Sequence, residues 1–298
     1  MSTGVAFFSY NTDQINYIKL ATVASRYVRR HMPDHPTCLI TDPGNWEWFL
    51  KTPEGERYAD AAFDEVVLVE SPTRPNTRVH YDSPWHKFTS DFRNGNKHRV
   101  IEYTPYDQTL LLDIDYIVQN DSLNYVFGSG EGVTLFHRAE SLTGLAPPMS
   151  QQYLSAGGIP MLWSTAIYFD RKTALAQMFF DTWAHVADNY EFYHFLYGFP
   201  DHMYRTDYCV SIAAHILNGM GMGELISDFP QPMINMSQLD DIARIAGPDE
   251  WDYLVNDPDE NWQNTLTKIQ GENVHVMNKR SIERKYQDIM TSLDGASS

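Results

Sequence analysis

The sequence has 298 residues, 43% of them hydrophobic and 20% charged, and 39 acidic residues against 22 basic ones give a net charge of −17. That length holds one large domain or two small ones with ample core, and the composition excludes a disordered chain. The charge is a poor average match for nucleic acid or an anionic membrane, and no apolar run approaches the roughly 20 residues of a membrane helix. MSTGVAFFSYN at the start lacks a basic n-region and a long apolar stretch, so no signal peptide is expected and a cytoplasmic setting is. Cys38 and Cys209 both lie in apolar runs and read as buried free thiols.

GVAFFSY (4–10) reads as a short strand. Asp13 is then expected to cap a helix over 14–31, whose Ile15, Ile18, Ala21, Val23, Val28 and Met32 recur at roughly helical intervals. Pro33 and Pro36 end it, PTCLITD (36–42) is a second strand and EVVLVE (65–70) a third. Ser83-Pro84 predicts a helix start, a capping residue with proline at the first helical position, and Asn94-Gly95 its end. A short amphipathic segment to Tyr103 precedes TLLLD (109–113), a strand apolar enough to be buried on both faces. Later, VTLFHRA (133–139) and WSTAIYF (163–169) predict strands, Asp170 a cap for a helix over 171–189, and Asp207 a further helix start. VHVM (274–277) is a late strand before a basic terminal helix. DPDE (257–260) reads as an acidic loop. Ser141–Pro160, rich in Gly, Pro and Ser, is too irregular for a core element and is expected to be a functional loop, an acceptor lid. Strand–helix–strand units imply right-handed crossovers and a mostly parallel sheet, giving an α/β fold with an irregular second half and no linker to divide it.

Asp113 and Asp115 flank Ile114 where the buried strand ends. Ligands of such sheets sit at the carboxyl ends of strands, and extended alternation points residues i and i+2 to one side. Two bare carboxylates meeting there repel unless a cation or a shared proton intervenes. A hard divalent ion, Mg²⁺ or Mn²⁺, fills that role and bridges to phosphates. A solvated Asp pair in a turn is the bland alternative.

YDQTLLLDIDYIV resembles the strand and D-x-D motif of nucleotide-sugar-dependent glycosyltransferases with the GT-A (Rossmann-like) fold, above all the family that includes glycogenin and the bacterial lipopolysaccharide galactosyltransferases. FFSYNTDQINYIKLATVAS (7–25) is similar to that family's first strand and helix, whose loop touches the nucleotide base. The resemblance implies a single domain, with 1–120 binding the nucleotide sugar and 121–298 facing the acceptor. It implies metal ligands at Asp113, Asp115 and His275, the last in VHVMNK (274–279). Lys97, sixteen residues before Asp113, and Lys279 take the place of phosphate-binding lysines. Asp207, in YRTDYCVSIAAHI (204–216), corresponds to an acidic motif near the transferred sugar, although a helix N-cap explains it equally well. Tyr10, Asn11 and Asp42 stand at strand ends where a base and ribose would dock. The family's late H-x-x-G-x-x-K-P-W motif is only partly present, since His275, Asn278 and Lys279 lack the glycine and the Pro-Trp. WSTAIYF likewise lacks the asparagine and glycine of the sugar-contacting strand.

The activity implied is metal-dependent transfer of a hexosyl or pentosyl group from a nucleotide-diphosphate sugar to an acceptor hydroxyl of a glycan, protein or small molecule. RVIEYTPYDQTLLLDIDYIVQN (99–120) also resembles glycosyltransferase-like proteins of tailed bacteriophages, which implies host cytoplasm and raises a hydroxymethylated DNA base as acceptor. Two basic segments fit a polyanion: Lys87, Arg93, Lys97 and Arg99, then Lys279, Arg280, Arg284 and Lys285. A nucleotidyltransferase would carry a glycine-rich phosphate loop after its first strand, and SYNTDQ has no glycine. A non-catalytic carbohydrate-binding or viral structural protein retaining the fold is the remaining alternative.

Overall fold

A computed structural model describes residues 1–71, 76–93, 95–154, 158–199, 203–221, 223–257 and 263–296. In chain order the first half runs β1 (Thr3–Phe8), α1 (Tyr17–His31), β2 (Thr37–Thr41), α2 (Pro43–Leu50), α3 (Pro53–Ala62) and β3 (Glu65–Leu68). It continues with β4 (Asn76–Ser83), β5 (His86–Phe92), a 3₁₀ turn over Lys97–Arg99, α4 (Val100–Tyr103), β6 (Gln108–Leu112) and β7 (Tyr116–Ile117). The second half holds β8 (Val133–Phe136), β9 (Ala139–Ser141), α5 (Met149–Gln152), β10 (Trp163–Asp170), α6 (Ala174–Asp188), α7 (Tyr190–Tyr197) and α8 (Thr206–Leu217). β11 (Ser227–Asp228), β12 (Met233–Met236), β13 (Asp241–Gly247), β14 (Glu250–Asp257), β15 (Gln263–Gln270), β16 (Val274–Val276) and α9 (Lys279–Gly295) close the chain.

The central sheet has the order β11-β8-β10-β6-β1-β2-β3. β6, β1, β2 and β3 are parallel neighbours, as are β11 and β8, while β10 runs antiparallel between β6 and β8. The mixed, mostly parallel α/β reading therefore holds. Leu110, Leu111, Ala6, Leu39, Ile40 and Ile167 are fully buried in it, the signature of strands covered on both faces. A second sheet, β7-β16-β12-β9, abuts the end of the first. β13, β14 and β15 form a separate antiparallel sheet whose Trp251 and Tyr253 are fully buried, with Trp251 packed edge-on against Tyr27 of α1.

Several local expectations are corrected. The stretch opened by Ser83-Pro84 is no helix but the β4–β5 hairpin, with Ser83 Oγ accepting the N–H groups of Trp85 and His86 at the turn. Ser-Pro serves a turn as readily as a helix start, and the flanking Val79, Tyr81, Phe88 and Thr89 favour strands. Asn94, the expected end of that helix, lies outside the described residues. α1 is capped by Asn16, which accepts from Lys19 N at 3.0 Å, and not by Asp13. Thr173, three residues beyond Asp170, caps α6, since Asp170 is still the last residue of β10. VTLFHRA divides between two sheets, β8 ending at Phe136 and β9 starting at Ala139. Ser141–Pro160 contains the end of β9, α5 and a bridge from Tyr153 to Pro160, with 155–157 outside the described residues, as are 258–260 of the acidic loop. Cys38 and Cys209 are buried and free. Among the described residues no helix is long and apolar enough to cross a membrane.

Candidate active site

β6 delivers its last residues to the carboxyl edge of the central sheet, where the chain turns sharply: Tyr116 N donates to Asp113 O at 3.0 Å. Asp113 and Asp115 therefore converge through a turn rather than through strand alternation, because the strand has already ended at Leu112. The turn feeds β7, which pairs antiparallel with β16 and sets His275 opposite Tyr116. Val276 N donates to Asp115 O at 2.8 Å, locking the two segments together. One ligand atom each from Asp113, Asp115 and His275 lies within 4.8 Å of the others.

Two lysines complete the cluster. Lys97, buried in the 3₁₀ turn, donates to Asp113 Oδ1 at 2.5 Å and to Ser164 O at 3.0 Å. Lys279, at the start of α9, donates to Asp115 Oδ2 at 2.5 Å, and His275 Nε2 stands 3.5 Å from the same oxygen. The two aspartates titrate apart. Burial, which Lys97 only partly offsets, and the neighbouring Asp115 charge push Asp113 up. Burial would raise Asp115 too, but Lys279 and His275 overcome it and hold this carboxyl far below the usual range. His275 Nδ1 is buried with no partner among the described residues.

These residues fit a divalent cation. Ligands 2.0–2.1 Å from an octahedral ion lie about 3 to 4 Å from one another, and the three donors, within 4.8 Å, are grouped on that scale. Two carboxylates and an imidazole suit Mn²⁺, with Mg²⁺ a poorer match to the nitrogen. The two ammonium groups supply the countercharge that would otherwise be missing between paired aspartates.

Asp207 lies nearby in the first turn of α8, not at its N-cap, which is Arg205. Its Oδ1 accepts Ser164 N at 2.9 Å and Ser164 Oγ at 2.8 Å, and Arg205 stands 3.4 Å from Oδ2. Against burial, Arg205 and these hydrogen bonds hold the carboxyl below its ordinary value. Ser164 on β10 thus links Lys97, through its carbonyl, to Asp207, through its amide and hydroxyl. Ser164 and Arg205 lie in the WSTAIYF and YRTDYCVSIAAHI stretches, but neither was singled out as a site residue; both are found by asking what satisfies buried Asp207.

All of this lies in one cleft of about 870 Å³, whose walls include the β4–β5 hairpin, the 141–151 segment and part of β14–β15. Tyr10 lines it, its hydroxyl accepting from Asn96 Nδ2 at 3.2 Å and pushed up to about 12 by burial. Asn11 and Asp42 spend their side chains on local structure: Asn11 accepts Ile18 N at 3.0 Å, and Asp42 caps α2 while accepting from Ser71 Oγ at 2.7 Å. Of the eight residues in the two basic segments, six face carboxylates. Lys97 and Lys279 hold the aspartates, Arg99 pairs with Glu102, Arg280 with Glu283, Arg284 with Asp82 and Asp241, and Lys285 with Asp288. Lys87 and Arg93 have no ion-pair partner among the described residues.

No family model and no curated protein matches the sequence. The solved structures found to be similar to the chain in part include glycosyltransferases. The glycosyltransferase GlyE of Streptococcus pneumoniae is similar with a TM-score of 0.43 and 12% identity over 77% of this chain and 46% of that one, so this chain spans about half of GlyE. The galactosyltransferase LgtC, in complex with donor and acceptor sugar analogs, gives a TM-score of 0.42 at 14% identity, covering 71% of this chain and 70% of LgtC. Mouse xyloside xylosyltransferase 1 gives 0.44 at 12% identity, over 76% and 85% respectively.

Proposed function

We propose that the chain is a metal-dependent glycosyltransferase that moves a sugar from a nucleotide-diphosphate sugar to an acceptor hydroxyl. The observation that supports it is the cluster of Asp113, Asp115 and His275 flanked by Lys97 and Lys279 at the end of β6 inside the cleft. The two carboxylates and His275 would hold Mn²⁺ or Mg²⁺, which when bound supplies positive charge against the leaving diphosphate. Lys97 and Lys279, fixed at the same spot, add preorganised donors for the charge that grows as the anomeric C–O bond breaks. Asp207, kept ionised by Arg205 and Ser164, is placed in this reading beside the transferred sugar, whose carbon becomes cation-like. Tyr10 packs at the base end, with Asn11 and Asp42 shaping the turns around it. In this reading the chain acts as one domain, with 1–120 on the donor side and 121–298 on the acceptor side.

The test is a thermal-shift panel of sugar nucleotides with and without Mn²⁺, followed by turnover of the best donor. A stabilised complex that needs both ion and sugar nucleotide, and releases nucleoside diphosphate, is the expected result. Binding without turnover on any acceptor would favour a non-catalytic carbohydrate-binding or viral structural protein. The acceptor is read by mass shift on glycans, proteins, small molecules and duplex DNA with hydroxymethylated pyrimidines. With six of eight basic residues already neutralised, DNA is the least favoured of these.

A further inference from the structure

Three cleft cations face carboxylates: Lys97 beside Asp113, Lys279 beside Asp115 and Arg205 beside Asp207. Arg78 of β4 and Arg93, just after β5, also line the cleft, and neither has an ion-pair partner among the described residues. In a chain with 39 acidic residues against 22 basic ones, an arginine kept clear of carboxylates inside a cleft calls for a reason. Arg78 is half-buried, and its guanidinium lies over the Phe92 ring at 5.5 Å. A guanidinium supported on an aromatic face keeps its N–H edges for a planar or tetrahedral oxyanion, which it grips in bidentate fashion.

The same Phe92 ring carries a second group. Tyr17 of α1 packs against it at 6.2 Å between centroids and lines the cleft. Tyr17 is 4% exposed, and its hydroxyl is buried without a hydrogen-bond partner among the described residues. Buried hydroxyls are normally satisfied, so the Tyr17 hydroxyl at the cleft wall keeps a hydrogen to offer an acceptor atom. Burial pushes the Tyr17 phenol well above its ordinary value, with Arg78 the strongest opposing influence, so it is a donor at any working pH. His80, buried between the strands, is pushed down to about 3 by burial and by Lys279 and Arg78, and stays neutral beside them.

We propose that Arg78 and Tyr17, assembled on Phe92, form a phosphate-binding subsite in the cleft, with Arg93 at its rim, built from residues other than the Asp113–Asp115–His275 cluster. Its ligand is a phosphate group of a substrate, carried either by the acceptor or by a nucleotide. The subsite stands on its own geometry, whether or not the cleft transfers sugar.

The experiment titrates inorganic phosphate into the full chain by calorimetry at fixed ionic strength. The proteins are the parent, Arg78→Gln, Arg78→Lys, Tyr17→Phe and, as a surface-charge control, Lys87→Gln. Arg78→Gln and Tyr17→Phe each weaken phosphate binding about tenfold, the loss of one charge-assisted or buried hydrogen bond, Arg78→Lys weakens it less, and Lys87→Gln leaves it unchanged. Unchanged melting temperatures certify the fold, and should Tyr17→Phe misfold, the Arg78 pair decides alone. Phosphate that still binds after saturation with a nucleoside diphosphate and Mn²⁺ assigns the subsite to an acidic acceptor. Phosphate excluded by that saturation, with nucleotide affinity lowered in Arg78→Gln, assigns it to the nucleotide. No phosphate binding by the parent, equal affinity in Arg78→Gln and parent, or an equal loss in Lys87→Gln overturns the proposal. A chain that binds no nucleotide with any ion defeats the glycosyltransferase reading while the phosphate titration still reads the subsite.

Discussion

Lys279→Met separates two quantities that a simple loss of the site would lower together. Lys279 Nζ lies 2.5 Å from Asp115 Oδ2, with the two side chains only 11% and 3% exposed. Removing the ammonium leaves a buried carboxylate with only His275 beside it, and breaking such a pair costs about 3–5 kcal/mol. At about 2–4 °C per kcal/mol for a chain of this size class, the metal-free variant should melt on the order of 10 °C lower. The sign with pH follows. Asp115 is depressed in the folded protein, so its contribution is present above the unfolded value near pH 4 and is lost as pH falls below it. The parent–variant gap should therefore close in acid. Lys279 also competes with any cation for Asp115, so Mn²⁺ should bind the variant about tenfold or more tighter and recover much of the lost stability by mass action. Nucleoside diphosphate affinity should fall, because the phosphate donor is gone. Scanning fluorimetry with and without Mn²⁺, together with paramagnetic resonance of free Mn²⁺, measures all three. If Mn²⁺ affinity drops in parallel with nucleotide affinity, Lys279 is no competitor and the assignment of the ion to Asp115 is wrong.

Asp115→Asn should cost about a hundredfold or more in Mn²⁺ affinity through loss of a charged ligand, and an unchanged titration would remove Asp115 from the metal site. Asp207→Asn keeps the shape but loses the charge beside Arg205; we expect at least a tenfold lower turnover with unchanged Mn²⁺ affinity, and full activity would leave Asp207 a purely structural hydrogen-bond acceptor. Asp240, pushed up to about 6 by burial despite the N–H groups of Asn256 and Ser237, holds its proton more tightly when folded. Stability should therefore fall by about 3 kcal/mol as pH rises from about 4 to about 6, and denaturant melts of Asp240→Asn should lack that fall. Gly55→Ala would bring a Cβ within 2.0 Å of the Phe49 carbonyl oxygen where α2 meets α3; a loss of about 1–3 kcal/mol is expected, and an unchanged melt would show that the two helices shift freely.

What the sequence by itself determined were features carried by short-range pattern. The apolar runs of β1, β2, β6 and β10 leave no alternative to buried strands, and a parallel α/β sheet places the end of β6, with its two aspartates, at a ligand-binding edge. The periodicity of α1 was equally plain, although its cap lay three residues later than Asp13. Tertiary structure alone decided how Asp113 and Asp115 meet, since a turn stabilised by Tyr116 N and not strand alternation brings them together. His275 was expected beside them only through the family resemblance, because pairing of β7 with β16 spans more than 150 residues and no local pattern encodes a partner that distant. The charge inventory was the least legible. A run of lysines and arginines reads the same whether it faces solvent or carboxylates, and here only the folded chain brings Asp113, Asp115, Asp82 and Asp241 against it. The β4–β5 hairpin was misread because Ser-Pro begins turns and helices alike, so Arg78 and the orphaned hydroxyl of Tyr17 came into view only once both had been packed on Phe92.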